Sequence, residues 1–133
     1  MGDGQNSRQK TLEQRRAADA WSKVTGVSDS SLQSKYASQA QRLGSLIQVN
    51  GLGQTLAFLR SKAGDKQEMQ VLYEHISTWV TPHMGVQGDL LEQMMGWSSA
   101  DYRRATTEAL AYALWLRRFV EAQGWTAEGD DNP

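Results

Sequence analysis

The sequence of 133 residues predicts an all-α protein, a compact single-domain bundle of about five to six helices. Apolar residues recur with a helical period through most of the chain, and no stretch alternates apolar and polar residues as a half-buried strand does. Proline occurs only at Pro82 and Pro133. We predict a helical domain over residues 11–123, a disordered N-terminal arm over residues 1–10 and a flexible acidic C-terminal tail over residues 124–133.

The composition excludes several classes of protein. Without cysteine there is no disulfide scaffold, thiolate zinc site or cysteine nucleophile. The first ten residues are polar, as a secretory signal is not, and no run of eighteen apolar residues could cross a membrane. We therefore expect a soluble, cytoplasmic protein.

Charge is unevenly distributed although the net charge is −1. All 14 lysines and arginines lie between Arg8 and Arg118, a span with ten of the 15 acids, so its balance is +4 (14 − 10). A mildly basic body permits contacts with phosphate groups without establishing them.

The first helix is predicted from about Leu12 to Val24, with Thr11 and Gln14 as its capping box. Four residues should face inward: Ala17, Ala20, Trp21 and Val24. Four charged residues share the other side, which we interpret as a solvated face: Arg15, Arg16, Asp19 and Lys23.

The second helix is predicted from about Ser31 to Val49, after capping residues at 28–30. Asn50-Gly51 should end it, because glycine readily adopts the left-handed conformation that closes a helix. A third helix then starts at once with Leu52. Gly44 predicts either a close helix crossing or a kink.

The third helix should end near Ala63 and Gly64. The fourth is predicted from about Lys66 to Val80, started by a capping box of Asp65 and Glu68 and stopped by Thr81-Pro82. After a loop from His83 to Gly88 come a short helix over residues 89–95 and a long one over residues 99–123.

The last helix is apolar on more than one side. Three of its residues fall outside the buried stripe and are candidate subunit-contact residues: Leu110, Leu114 and Trp115. The alternative is that loops of the chain itself cover them.

No catalytic constellation emerges from the sequence. His75 and His83 lack partners at metal-ligand spacing, and there is no phosphate-binding glycine loop or nucleophile elbow. We expect a non-enzyme without metal or cofactor. Basic residues instead occur in pairs, such as Arg103-Arg104 and Arg117-Arg118, whose members diverge by about 100° on a helix.

Five segments together resemble the small subunit of the Cmr complex, the type III-B CRISPR effector. They are QRRAADAW near the start, residues 36–63 with IQVNGLGQTLAFLRSK, LYEHISTWV, DLLEQM, and DYRRATTEALAYALWLRRFVEA. The resemblance implies a non-catalytic helical bundle that stacks in several copies and lines the channel for guide and target RNA. It departs from the family at Gly44, where proline is frequent, and at both termini.

The implied partners are other Cmr subunits, copies of the same chain, and the phosphate backbones of crRNA and target RNA, with no membrane and no small-molecule substrate. On this reading seven residues are candidates for RNA binding: Arg15, Arg16, Lys23, Lys62, Arg103, Arg117 and Arg118.

Two other hypotheses remain open. One is a helical homo-oligomeric adaptor that binds only protein, with ordinary solvated charges. The other is a DNA-binding helix-turn-helix over residues 46–59, which the apolar content of its second helix disfavours.

Overall fold

The structure of the protein is a computed structural model that describes residues 10–125. Most of the predicted arm and tail, residues 1–9 and 126–133, lies outside the described residues. Within them there are no strands and six helices: α1 Leu12–Thr25, α2 Ser30–Asn50, α3 Leu52–Ala63, α4 Gln67–His83, α5 Leu90–Met94 and α6 Ser99–Ala122. The predicted all-α class and the number of helices are confirmed. None of these helices is long and apolar enough to span a bilayer.

Helix α6 is the spine of the bundle and packs on α1, α2 and α4. The sequence predicts a buried stripe on this helix, and its members Ala105, Ala109, Ala113, Leu116 and Val120 are buried, whereas its first member, Tyr102, is only partly buried. The alanines let neighbouring helices approach closely. Tyr112 is also completely buried and Glu108 is 4% exposed, although neither belonged to the predicted stripe. The core of the bundle therefore contains a charged residue.

Polar caps begin most of the helices, because they bond the amides that a first turn leaves without partners. Thr11 and Gln14 form the predicted capping box, and Asp29, Asp89 and Ser98 cap their helices. The box predicted at Asp65 and Glu68 was wrong.

Helix α4 has no side-chain cap at its start and begins after Lys66. The amides of Asp65 and Lys66 both bond to the carbonyl of Lys62, at 3.1 and 2.9 Å, so a tight turn sets the position of residue 66. Glu68 is buried in the first turn of α4, where it makes no bond back to residue 65.

Gly51 joins α2 directly to α3, as predicted, but its conformation is not the ordinary left-handed one. Its φ of 87° ends α2, and its ψ of 160° resembles the ψ of 161° at Thr11 and 164° at Ser98, both helix-starting residues. The Gly51 amide donates to Ile47 O at 2.8 Å, and its carbonyl accepts from the amide of Thr55 at 3.1 Å. One residue therefore ends one helix and starts the next.

Pro82 does not stop α4, which continues to His83. The prediction was wrong because the following loop supplies amides to the last turn. Met84 N donates to the carbonyls of Val80 and Thr81, and Val86 N donates to Thr81 O at 3.2 Å. With those carbonyls bonded, the helical conformation of Thr81 persists before proline.

Gly44 marks no close crossing, since a Cβ there would meet nothing within 4 Å, and α2 runs through it without interruption. Trp21 was predicted to face inward but is 44% exposed, at the edge of the bundle, with its ring edge against Phe119 at 5.1 Å between centroids. Trp125 packs against the core, so Gly124 and Trp125 remain attached to the bundle.

Candidate nucleic-acid interface

The sequence suggested that Arg16 lies on a solvated face of α1, but the structure shows that it is not solvated. Its Nε and Nη2 donate to the two carboxylate oxygens of Glu108, at 2.6 and 2.8 Å. The side chains of Arg16 and Glu108 are only 11% and 5% exposed. The pair is structural because each buried charge requires the other.

Trp79 and His83 complete the surroundings of Glu108. Trp79 Nε1 donates to Glu108 Oε2 at 2.7 Å, and His83 Nε2 lies 3.5 Å from Oε1. Burial acts to raise the pKa of Glu108, but the hydrogen bonds from Arg16 and Trp79 outweigh it and hold this pKa below its ordinary value. Glu108 therefore remains a carboxylate inside the bundle.

Lys23 is also held within the fold. Its Nζ lies 2.7 Å from Asp19 Oδ2, 3.2 Å from Tyr112 Oη and 3.3 Å from the carbonyl of His75. Its side chain is 20% exposed. The face of α1 that we interpreted as solvated is therefore divided, since Arg16, Asp19 and Lys23 contact other helices and Arg15 is exposed.

Five of the seven predicted cations reach the surface: Arg15, Lys62, Arg103, Arg117 and Arg118. Arg15, Lys62 and Arg103 form no ion pair with any residue between 10 and 125. Arg117 and Arg118 share Glu121, each at 3.4 Å.

One face of α6 combines residues to which the sequence had assigned different roles. Arg103, Leu110, Leu114 and Arg117 fall within about 60° of one another around the helix, over about 21 Å of its length. The last three also line a groove of about 410 Å³ between α6 and α2. The structure thus places two predicted subunit-contact residues beside a predicted phosphate-binding residue.

Leu114 is 52% exposed and Leu110 is partly buried. Trp115 lies elsewhere, partly buried and packed on Phe119 with 5.2 Å between ring centroids.

The opposite wall of that groove comes from α2, through Gln41, Gly44, Ser45 and Gln48. A second groove, of about 350 Å³, lies on the other flank of α2 and is lined by six residues of α2 and α3: Arg42, Leu46, Asn50, Gln54, Thr55 and Phe58. No carboxylate lines either groove. We call the residues lining the two grooves the α2 face.

The absence of acidic residues explains the positive charge of the α2 face. Residues 30–63 contain no Asp or Glu and four cations, namely Lys35, Arg42, Arg60 and Lys62. Arg60 is neutralised by Asp89 at 2.8 Å, and Lys35 lies beside Asp65 and Glu68 in a third groove. Arg42 is exposed and makes no ion pair among the described residues. Sequence reasoning missed Arg42, although the acid-free stretch was visible in the chain.

The two histidines have neighbours inside the fold. His75 Nδ1 lies 2.7 Å from the hydroxyl of Tyr36, and burial lowers the pKa of His75 to about 4. His83 faces Glu108. Residues 10–125 contain no group of three or more His, Asp or Glu side chains placed to hold a metal ion.

Comparison with known proteins places this architecture in a family. The model of the family "CRISPR-associated protein (Cas_Cmr5)" matches residues 12–123. Among solved structures, the chain is similar to a CRISPR-associated Cmr5 family protein from Thermus thermophilus. The two share 29% sequence identity with a TM-score of 0.72, over 85% of this chain and 97% of the other.

The match spans α1 to α6 and confirms the resemblance on which the sequence analysis relied. The family indicates a subunit of a CRISPR Cmr complex. The chain belongs to the Cmr5 family of CRISPR-associated proteins.

Proposed function

We propose that this chain is the non-catalytic small subunit of a type III-B Cmr complex that is guided by crRNA and targets RNA. Several copies stack head to tail beside the backbone subunits and line the channel for guide and target RNA. The observation that carries the proposal is the α2 face, which contains no acid and includes Arg117. Arg103 lies on the same side of α6 as Arg117.

Five exposed cations act as phosphate contacts in this proposal: Arg15, Lys62, Arg103, Arg117 and Arg118. They attract the RNA backbone by charge and release counterions without reading bases. Arg16 and Lys23 are left out because carboxylates within the bundle already hold them. Their role is to fix α1 on α6.

Stacking in one direction requires two different patches on each copy. Leu110 and Leu114 in the groove between α2 and α6 offer one patch. The aromatic edge formed by Trp21, Trp115 and Phe119 offers another, on the side of α6 that meets α1. Exposed apolar side chains at both places support contacts with neighbouring copies.

The non-catalytic part of the proposal rests on how the buried polar groups are used. Glu108 is bonded to Arg16 and Trp79, Asp19 to Lys23 and Tyr112, and His75 to Tyr36. A general base needs access to a substrate proton, and these groups are directed at one another.

The proposal is tested by reversing two charges in the reconstituted complex. The double variant Arg103→Glu, Arg117→Glu should bind target RNA more weakly than the unmodified complex. The slope of log K against log salt should become less negative by about 1.4 if two single-strand phosphate contacts are lost. Filter binding over a salt series measures both quantities.

Lys66→Glu, which changes an exposed cation at the start of α4, serves as the matched control and should leave the slope unchanged. A double variant that enters the complex at full occupancy and keeps the original slope would contradict the phosphate contacts. If the purified chain forms oligomers whose assembly does not depend on RNA, the hypothesis of a homo-oligomeric adaptor is favoured. The exposed side chain of Leu114 also fits that hypothesis.

A further inference from the structure

The groove between α2 and α3 is a small, shaped site, and none of the cations that the sequence singled out lines it. Arg42, Leu46 and Asn50 line it from α2, and Gln54, Thr55 and Phe58 from α3. Its volume of about 350 Å³ falls within the range of about 300–1,000 Å³ that small ligands occupy. The groove is large enough for one planar ring system with polar substituents.

The junction at Gly51 holds the two walls of this groove in place. No residue separates Gly51 from α3, and the amide of Gly53 ties the start of α3 to α6 by donating to the hydroxyl of Tyr102 at 2.8 Å. The hydroxyl of Thr55 donates to Gly51 O at 2.8 Å and is therefore already used. The groove exists before any ligand arrives, which lowers the entropic cost of binding.

The remaining polar groups of the groove suit an anionic ligand with hydrogen-bonding edges. Arg42 supplies a guanidinium at the rim, and Lys62 Nζ lies 6.0 Å from the centroid of the Phe58 ring. Asn50 and Gln54 are exposed, and each amide can both donate and accept. No acid lies in residues 30–63 to repel a phosphate.

Phe58 provides the apolar surface. Its side chain is 38% exposed, whereas Leu56 and Leu59 of the same helix are completely buried. An exposed aromatic ring close to cations is the arrangement that binds unpaired bases, because the ring stacks on the base while the cations bind the backbone.

We propose that this groove binds one unpaired nucleotide of the RNA strand, with its base on Phe58, its polar edge at Asn50 and Gln54, and its phosphate at Arg42. The inference rests on the proposed function, since it names how the same subunit holds RNA. An apolar side chain of another protein would leave Arg42, Asn50 and Gln54 without partners, which disfavours an apolar protein segment as the occupant.

The test uses the full chain in the assembled complex, with single-stranded target RNA that carries 4-thiouridine. Phe58→Leu keeps the apolar volume but removes the ring, so RNA binding should weaken about 5-fold or more while the salt slope stays constant. Arg42→Gln should instead make the slope less negative by about 0.7. Ultraviolet crosslinks should map to the peptide with Phe58 and disappear in Phe58→Leu.

Val49→Ala is the matched control, because Val49 is 81% exposed on the ridge of α2 and does not line the groove. Circular dichroism establishes that each variant folds, and Gln54→Ala replaces Phe58→Leu if the latter unfolds.

Three outcomes would overturn the inference. If Phe58→Leu and Arg42→Gln bind like the unmodified chain while the Arg103 and Arg117 double variant binds weakly, the groove is empty and the proposed function stands. If all these variants bind RNA normally, the proposed function itself fails. If the folded Phe58→Leu variant no longer assembles into the complex, the groove binds a neighbouring protein subunit instead of RNA.

Discussion

Glu108 is the residue on which α1, α4 and α6 converge. It lies on α6, accepts two hydrogen bonds from Arg16 of α1 and one from Trp79 of α4, and faces His83 at the end of α4. A buried carboxylate is tolerated only when its oxygens are bonded and its charge is balanced. Here one side chain fixes the relative positions of three helices.

Arg16→Ala should therefore be strongly destabilising. It leaves the Glu108 charge buried beside a cavity, which costs about 3–5 kcal/mol in the free energy of unfolding. Urea unfolding followed by circular dichroism measures the change. Arg15→Ala is the control, and as an exposed substitution it should lie within about 0.5 kcal/mol of the unmodified chain. Equal stability of the two variants would show that the buried pair contributes nothing.

The different roles of Arg15 and Arg16 could not be predicted from the sequence. Both lie on the polar stripe of α1, and the partner of Arg16 is 92 residues away along the chain. Helical periodicity distinguishes apolar from polar sides, but it does not show which polar side meets another helix. Only the packing of α6 against α1 separates a surface cation from a buried one.

At the scale of elements, Gly51 both ends α2 and starts α3, two roles that usually need two residues. Its backbone lies near φ 87° and ψ 160°, a region that essentially only glycine occupies. That conformation directs α3 away from α2 without any intervening loop. The angle between these helices, and with it the groove that they enclose, is set by this backbone.

Gly51→Ala should lower the free energy of unfolding by about 1–3 kcal/mol, because a Cβ is strained in that conformation. Gly44→Ala should raise it by about 0.5–1 kcal/mol, since Gly44 lies inside α2 and a Cβ there meets no atom within 4 Å. Thermal and urea unfolding of the two variants measure these opposite effects. The same sign for both substitutions would refute the assignment of Gly51.

Element boundaries followed from the sequence where a local signal determined them. Thr11 with Gln14, and Asn50-Gly51, each marked a helix boundary correctly. Both ends of α4 were predicted wrongly, because hydrogen bonds from residues outside the local motif determine them. At Pro82 these are the amides of Met84 and Val86, and at Asp65 the deciding partner is the carbonyl of Lys62. The class, the order and the number of helices were thus predictable, and two of the boundaries were not.

At the scale of the whole molecule, the distribution of charge matters more than its total. Residues 30–63 carry four cations and no acid within a chain of net charge −1. Along the sequence the basic body is visible, but much of its charge lies in adjacent pairs of residues. The fold instead places neutral amides and cations along both flanks of α2, and that surface could be found only when the helices were assembled.

Stability as a function of pH is a second property of the whole bundle, and His75 should dominate it in mild acid. Burial, and next the charge of Lys23, lower the pKa of His75 from 6.5 to about 4, while Asp19 opposes this change. The unfolded chain therefore binds the proton first, and the free energy of unfolding should fall as the pH drops from about 6.5 to about 4. The slope should reach about 1.4 kcal/mol per pH unit.

His75→Gln keeps a side chain that can bond to Tyr36 and removes the titration. Its stability should be flatter than that of the unmodified chain over this pH range, and the two curves should run parallel above about pH 6.5. Below the ordinary range of carboxyl groups both should lose stability, because the pKa values of Glu108 and Asp89 are held low in the fold. Urea unfolding at a series of pH values measures the slopes, and an unchanged slope in His75→Gln would exclude this histidine as their source.

The ion pair between Arg16 and Glu108 also has a consequence for folding during synthesis on the ribosome. Helix α1 is synthesised first, but the helix that receives its buried polar side chains is synthesised last. Domains acquire their structure as the growing chain emerges, at about 5–20 residues per second. Arg16 and Glu108 are 92 residues apart, so several seconds pass between the synthesis of α1 and that of its partner on α6, and the buried ion pair can form only after α6 has emerged.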